Sequence, residues 1–256
     1  MRFAACAVIP VYNHERAIGA VLEGVAAHGL HVFLVDDGCS EVCARELERL
    51  STFPEVTLLR HPMNRGKGAA VMTGMRAAHE RGFTHALQID ADGQHTLADI
   101  RRFIDEARAY PDSVICGQPL FDASIPKVRY YGRYLTHALV WLETLSFEIR
   151  DSMCGFRLYP LAEVEALAQR AHIGSHMDFD TEIIVKLFWR EVPTRWIGTR
   201  VSYPADGVSH FRMFFDNARM TGLHIRLVLG MLARLPSRLW RRTGLGIQAQ
   251  SDEATR

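Results

Sequence analysis

Along the first half of the chain, short apolar runs rich in β-branched residues alternate with longer stretches of helical period. That alternation predicts a mainly parallel sheet covered by helices, a Rossmann-like α/β fold. The predicted strands cover residues 4–11, 31–35, 56–59, 85–89 and 113–116, and amphipathic segments at 16–27, 40–50, 67–81 and 97–109 fill the intervals. Beyond residue 118 the order is less regular. Helices are expected over 128–146, 161–169 and 179–189, and a strand over 194–203. No Pro-, Gly- or Ser-rich linker divides the chain, so one continuous domain is expected over 1–212. A basic amphipathic helical appendage at 213–243 and a disordered tail at 244–256 follow it.

Open α/β sheets bind ligands beyond the carboxyl ends of their strands. The residues there are Pro10-Val11-Tyr12-Asn13, Asp36-Asp37-Gly38, Asn64-Arg65-Gly66-Lys67-Gly68 and Asp90-Ala91-Asp92-Gly93-Gln94-His95. In Asp90-Ala91-Asp92, two carboxylates two residues apart repel one another and call for a compensating cation if partly buried. Oxygen-only ligands favour Mg²⁺ or Mn²⁺, with Gln94 as a further ligand; the competing reading is a solvated loop in which Asp92 caps the next helix. Asp37 either accepts hydrogen bonds from a ligand or belongs to a turn with Gly38 at positive φ. The Asn64–Ala70 segment fails the Walker A template, since Gly68 follows Lys67, and fails G-x-G-x-x-G, since Val71 stands at the last position. It still opens a helix, where free N–H groups and Lys67 would face an anion, or it is a tight strand-to-helix turn. In Asp178-Phe179-Asp180-Thr181-Glu182, Asp180 is the candidate proton acceptor for a hydroxyl nucleophile, against a helix first turn whose acids complement the dipole.

Composition narrows the classes. Of the 256 residues, 48% are hydrophobic and 23% charged, which excludes a disordered or collagen-like chain. The five cysteines are odd in number and contain no C-x-x-C pair, so reduced thiols are expected rather than a disulfide framework or zinc knuckle. The N-terminal apolar run meets Pro10 and Asn13 at once and reads as a buried strand rather than a signal peptide. Thirty Lys plus Arg against 29 Asp plus Glu leave a net charge of +1, which argues against a phosphate-driven nucleic-acid binder.

That charge is uneven. Between Asn217 and Ser251 there is no acidic residue, while Arg219, Arg226, Arg234, Arg238, Arg241 and Arg242 fall there. A helical wheel puts Ile225, Val228, Leu229, Leu232, Leu235 and Leu239 on one face and Arg219, Arg226, Arg234 and Arg238 on the other. Leu223, Leu227 and Met231 interrupt the polar face, and Pro236 is expected to start a second short helix. With Trp240, this suits either an anionic membrane surface or packing on the domain or a partner. The uncharged run at 227–233 is far short of the roughly 20 residues needed to span a bilayer.

Taken in order, P-x-Y-N, D-D-G, N-x-G-K-G-x-A, D-A-D-G-Q-H, D-x-x-C-G-F-R and F-D-T-E resemble the motifs of a family 2 glycosyltransferase over residues 4 to 211. The resemblance is strongest to the dolichol-phosphate mannose synthase group. It implies a GT-A fold and inverting transfer of a sugar from a UDP or GDP donor to a lipid-linked or amphiphilic acceptor at the cytosolic membrane face. It implies that Pro10, Tyr12, Asn13, Asp36, Asp37, Lys67, Asp90 and Ala91 bind the nucleotide sugar, with Asp37 on the base. Asp90, Asp92 and Gln94 would hold Mg²⁺ or Mn²⁺, and Asp180 would serve as catalytic base. The chain departs from the group at His14, where a Glu stands, and at Gly117-Gln118-Pro119, where Gly-Ser-Arg stands. Arg129, Arg133 and Lys127 are candidates to replace that acceptor-gripping Arg, with Arg157 beside them. The transmembrane helices of many relatives are missing. Two other classes compete: a sugar-phosphate nucleotidyltransferase, disfavoured because Pro10–Asn13 lacks a Gly-rich loop, and a non-catalytic membrane scaffold, disfavoured by the intact acids.

Overall fold

In the computed structural model, residues 2–121, 125, 127–201 and 213–242 are described, without side chains at 127–129, 213–214 and 237–242. The first half alternates as β1 (Ala5–Val11), α1 (Ile18–Ala26), β2 (His31–Asp37), α2 (Glu41–Leu50), β3 (Val56–His61), α3 (Lys67–Glu80), β4 (His85–Gln88), α4 (Ile100–Ala109) and β5 (Val114–Phe121). The second half adds α5 (Lys127–Thr144), β6 (Arg157–Pro160), α6 (Leu161–Ala168), α7 (Phe179–Trp189), β7 (Thr194–Val201) and α8 (Met213–Arg242). The strands form one sheet in the order β3-β2-β1-β4-β6-β5-β7. All pairings are parallel except those of β6, which runs antiparallel to β4 and β5.

The sheet is buried on both sides, which is why β1 and β2 read as continuous apolar runs rather than alternating ones. One core lies between the sheet and α3, α6 and α7, around Val8, Phe33, Met75 and Ile183. The other lies under α1, α2 and α4, around Ile9, Leu34, Leu47 and Phe103. Central register brings Val8 beside Phe33 of β2 and Gln88 of β4, so the ends of β1, β2 and β4 open at one edge. That edge receives the polar motifs.

Two expectations need correction. Strand β6 was not foreseen: it has four residues, includes Arg157 and Pro160, and is fully buried, so it carries neither alternation nor length as a signal. Pro236 does not begin a second helix, because α8 continues through it; Pro236 is exposed, so the acceptor freed on the preceding turn faces solvent. The side of α8 that packs on the domain, which the sequence leaves open, is that of its interrupting residues. Leu223, Leu227 and Met231, which interrupt the polar face on a wheel, are buried against the domain, whereas Ile225, Leu229 and Leu232 point outward. A helix with apolar residues on both sides cannot be oriented from periodicity alone. The expected tail at 244–256, residues 202–203 of the last strand, and the side chains of Trp240, Arg238, Arg241, Arg242, Arg129 and Lys127 lie outside the described residues.

Helix α8 is fastened to α5 by a buried polar contact. Glu143 Oε1 lies 2.7 Å from His224 Nδ1, and the Glu143 carbonyl accepts from Trp189 Nε1 at 3.2 Å. Among the described residues no helix is long and apolar enough to cross a membrane.

Candidate functional site

A cavity of about 440 Å³ opens at the strand ends. Its walls come from β1 and the loop after it (Pro10, Val11, Tyr12, His14), the end of β2 (Asp37), the turn into α3 (Asn64, Gly66, Lys67) and the segment after β4 (Asp90, Ala91, Asp92). His176 and Met177, before α7, and Asp216 and Arg219, in the first turns of α8, complete the lining. Six of the eight expected nucleotide-sugar residues therefore meet here. Asn13 and Asp36 do not line the cavity. Asn13 Oδ1 accepts the Ser40 N–H at 2.8 Å and Asp36 Oδ1 the Cys39 N–H at 2.8 Å, so both brace the loop into α2.

Asp37 sits on the wall with its oxygens already engaged. Oδ1 accepts from His61 Nδ1 at 2.7 Å and from the Arg65 N–H at 2.9 Å, and Oδ2 accepts the Gly66 N–H at 2.8 Å. These bonds hold the loop between β3 and α3 against β2. Gly66 is required in that loop, since its φ is +97° and a Cβ would stand 2.4 Å from the Ser175 carbonyl oxygen.

The acids after β4 take different environments. Asp92 is half-buried and its Oδ1 accepts the Gln94 N–H at 3.0 Å, closing a local turn. Asp90 turns inward, where Lys67 Nζ lies 2.7 Å from its Oδ1 and 2.9 Å from its Oδ2, and His95 Nε2 lies 3.7 Å away. Burial pushes the Asp90 carboxyl upward, but Lys67 and His95 outweigh it and hold the carboxyl well below the usual carboxylate range. The cation that the paired acids call for is thus supplied, on the Asp90 side, by the protein.

Lys67 also reaches Asp180 Oδ2 at 2.7 Å, while Gln88 Nε2 donates to Asp180 Oδ1 at 2.8 Å. Asp180 is buried, lies behind Lys67 and is absent from the cavity wall. A free proton acceptor needs an oxygen facing the reacting hydroxyl; both oxygens here face donors of the protein. Burial lowers the Lys67 pKa, yet Asp180 and Asp90 more than reverse this, leaving its ammonium above the ordinary lysine range.

Two of the expected acceptor arginines, Arg133 and Arg157, make contacts within the protein and are absent from the cavity wall. Arg157 is completely buried and donates to the carbonyls of Asp180 and Asp151, so it fastens β6 to α7 and faces no open surface. Arg133 forms a two-pronged pair with Asp151, at 2.5 and 2.7 Å. Asp151 also accepts the N–H groups of Met153 and Cys154, so this pair orders the D-x-x-C-G-F-R turn.

Asp90 and Asp92 are the donors available to a divalent ion, and Gln94 does not reach the cavity wall. Among the described residues no group of three or more His, Cys, Asp or Glu forms a cage. Two carboxylates at a solvent-open cavity fit a hard ion that takes its other ligands from water and a bound diphosphate. Sequence reasoning missed His176, Met177, Asp216 and Arg219. The last two lay in a segment assigned to an appendage, and none of the four belongs to a strand end.

The comparisons agree with this architecture. The model of Glycosyl transferase family 2 matches residues 6–162, well over half of the chain. The UDP-N-acetylglucosamine--dolichyl-phosphate N-acetylglucosaminyltransferase of Methanococcus voltae is 26% identical over 217 residues, covering 76% of this chain and 86% of that protein. The dolichyl-phosphate beta-glucosyltransferase of Drosophila melanogaster is 27% identical over 220 residues, covering 74% and 65% respectively. This chain therefore spans a little under two thirds of the insect protein's length. Among solved structures, glucosyl-3-phosphoglycerate synthase from Mycobacterium tuberculosis, in complex with Mn²⁺, UDP-glucose and phosphoglyceric acid, superposes with a TM-score of 0.64. At 12% identity over 90% of this chain and 79% of that one, the likeness is one of GT-A fold. Motif order, strand order and the family match converge on one statement: the chain belongs to glycosyl transferase family 2.

Proposed function

We propose that this protein is an inverting glycosyltransferase that moves a sugar from a nucleotide diphosphate donor to a lipid-linked phosphate at a membrane surface. The observation that carries the reading is the cavity itself, which Asp90, Asp92 and Lys67 line together with Pro10 and Tyr12. Asp90 and Asp92 would hold Mg²⁺ or Mn²⁺, which supplies Lewis-acid stabilisation to the departing diphosphate. Pro10 and Tyr12 orient the nucleoside, and Asp37 keeps the Arg65–Gly66 turn closed beneath it. Arg219, half-exposed and 3.7 Å from Asp216, also lines the cavity and offers a guanidinium to an anionic group of donor or acceptor.

The nature of the acceptor follows from Asp180. A hydroxyl nucleophile needs a base, whereas a phosphate already carries its charge. With Asp180 held by Lys67 and Gln88, a phosphate acceptor fits the site better than a hydroxyl. The dolichyl-phosphate acceptors in the names of the relatives point the same way.

Membrane attachment is supported by the outward face of α8. Ile225, Leu229 and Leu232 are 57%, 60% and 49% exposed, and from residue 217 onward the helix carries no acidic residue. Such a face can enter the interfacial layer of an anionic bilayer, with peripheral attachment at the cytosolic face.

Calorimetry with UDP and GDP, with and without Mn²⁺, tests the donor reading. Metal-dependent binding of one nucleotide is expected, followed by transfer from its sugar conjugates into a membrane lipid extract. Absence of metal-dependent binding to either nucleotide would overturn it.

A further inference from the structure

Lysine is poorly placed at the first residue of a helix, because the helix N-terminus carries partial positive charge. Lys67 occupies that position in α3. Its placement is explained by what its ammonium touches: both oxygens of Asp90 on one side, at 2.7 and 2.9 Å, and Asp180 Oδ2 on the other, at 2.7 Å. Asp90 follows β4 and faces the cavity, whereas Asp180 lies in the first turn of α7, 113 residues from Lys67. Two carboxylates within reach of one nitrogen would repel each other at short range without it. Gly155 lies directly over the pair, since a Cβ there would meet Lys67 Nζ and Asp90 Oδ2 at 2.8 Å.

We propose that Lys67 is a positioning residue, a resident counter-ion that fixes Asp90 against Asp180 and competes with the divalent ion for Asp90. Asp180 then acts through Lys67 and needs no contact with the acceptor. The competition rests on the proposed role of Asp90 as a metal ligand, but the counter-ion role does not. The rival is a direct grip of Lys67 on the donor diphosphate.

Thermal unfolding of the full chain in EDTA gives the first arm. Lys67→Met and Asp180→Asn should each lower Tm by about 10 °C, the scale for breaking a buried pair in a domain of this size. The double variant should recover at least half of the combined loss, and strictly additive losses would overturn the coupling. If Lys67→Met does not fold, the same cycle is run with Lys67→Gln.

The second arm is Mn²⁺ binding, followed by the spin-resonance signal of the free ion. Lys67→Met should bind Mn²⁺ about tenfold more tightly, because the competing ammonium is gone, and Lys67→Arg should return the affinity toward wild type. Affinity for UDP without metal should fall less than threefold in Lys67→Met. A tenfold loss of that affinity would establish the direct grip instead, and unchanged or weaker Mn²⁺ binding would overturn the competition. If the wild type binds no Mn²⁺, the metal-dependent donor site and the competition fall together, while the EDTA cycle still decides the counter-ion role.

Discussion

Gly155 and Lys67 stand so close that a single methyl group at residue 155 would lie 2.8 Å from the lysine ammonium. The D-x-x-C-G-F-R turn therefore closes over the Lys67–Asp90 pair without a side chain of its own. Gly155→Ala should displace the pair by several tenths of an ångström or more and lower kcat about 100-fold, the scale for misplacing a reacting group by 1 Å. Steady-state kinetics on a variant of unchanged circular dichroism checks this, and wild-type kcat would show that the pair tolerates displacement.

The acids after β4 should separate in their effects. Asp92→Asn removes a half-buried carboxylate braced only by its own turn, so stability should hold while metal-dependent activity falls about 100-fold. Asp90→Asn should cost activity on that scale and stability as well, because Lys67 keeps only Asp180. Activity against Mn²⁺ concentration, together with urea unfolding, distinguishes the two. Equal stability losses would contradict the different environments assigned to them.

Asp180 offers a test of the acceptor class. General-base catalysis contributes roughly 100- to 10,000-fold, and its loss would remove the acid limb of the pH–rate profile. With a phosphate acceptor, Asp180→Asn should lower kcat only about tenfold, through a loosened Lys67, and leave the shape of the profile unchanged. A fall of 1,000-fold with a flattened acid limb would restore Asp180 as the base and point to a hydroxyl.

The Arg133–Asp151 pair predicts a pH-dependent stability. Burial raises the Asp151 carboxyl, but Arg133 and His137 prevail and hold it well below its ordinary value of 3.8. A depressed folded pKa gives stability that is complete above the unfolded value and lost as pH falls through the folded one. Asp151→Asn should therefore cost about 3 kcal/mol at pH 7, and the gap to wild type should close as pH drops below 3.8. Urea melts between pH 7 and pH 3 measure it; a gap that widened on acidification would refute the assignment.

The outer face of α8 is testable without touching the cavity. Ile225→Glu together with Leu229→Glu should abolish sedimentation with vesicles of anionic lipid and leave Tm within about 2 °C, since both side chains are exposed. Unchanged sedimentation would assign the face to another partner.

What the sequence revealed and concealed has a physical pattern. Strands β1 to β5 were legible as short apolar runs and helices α1 to α4 by their period, and the strand ends located Pro10, Tyr12, Asp37, Lys67 and Asp90 around one cavity. Long-range pairing was not legible. Lys67 could be recognised as a cation beside a glycine-rich turn, but nothing local says that its partner is Asp180 rather than a phosphate. Arg157 read as an acceptor contact because sequence records charge and not burial; its place depends on β6 entering between β4 and β5 in the antiparallel sense. The orientation of helix α8 stayed open for the same reason, since its two apolar faces differ only in what lies beneath them.

Helix α8 is a single rod of 30 residues, about 45 Å long. Asp216 and Arg219, near its beginning, form part of the cavity wall, and Ile225, Leu229 and Leu232 lie farther along its outer side. A stiff element that touches two environments transmits orientation between them. Whatever surface receives the outer side also sets the direction in which the cavity opens, so the protein would meet its acceptor at a fixed angle rather than by tumbling.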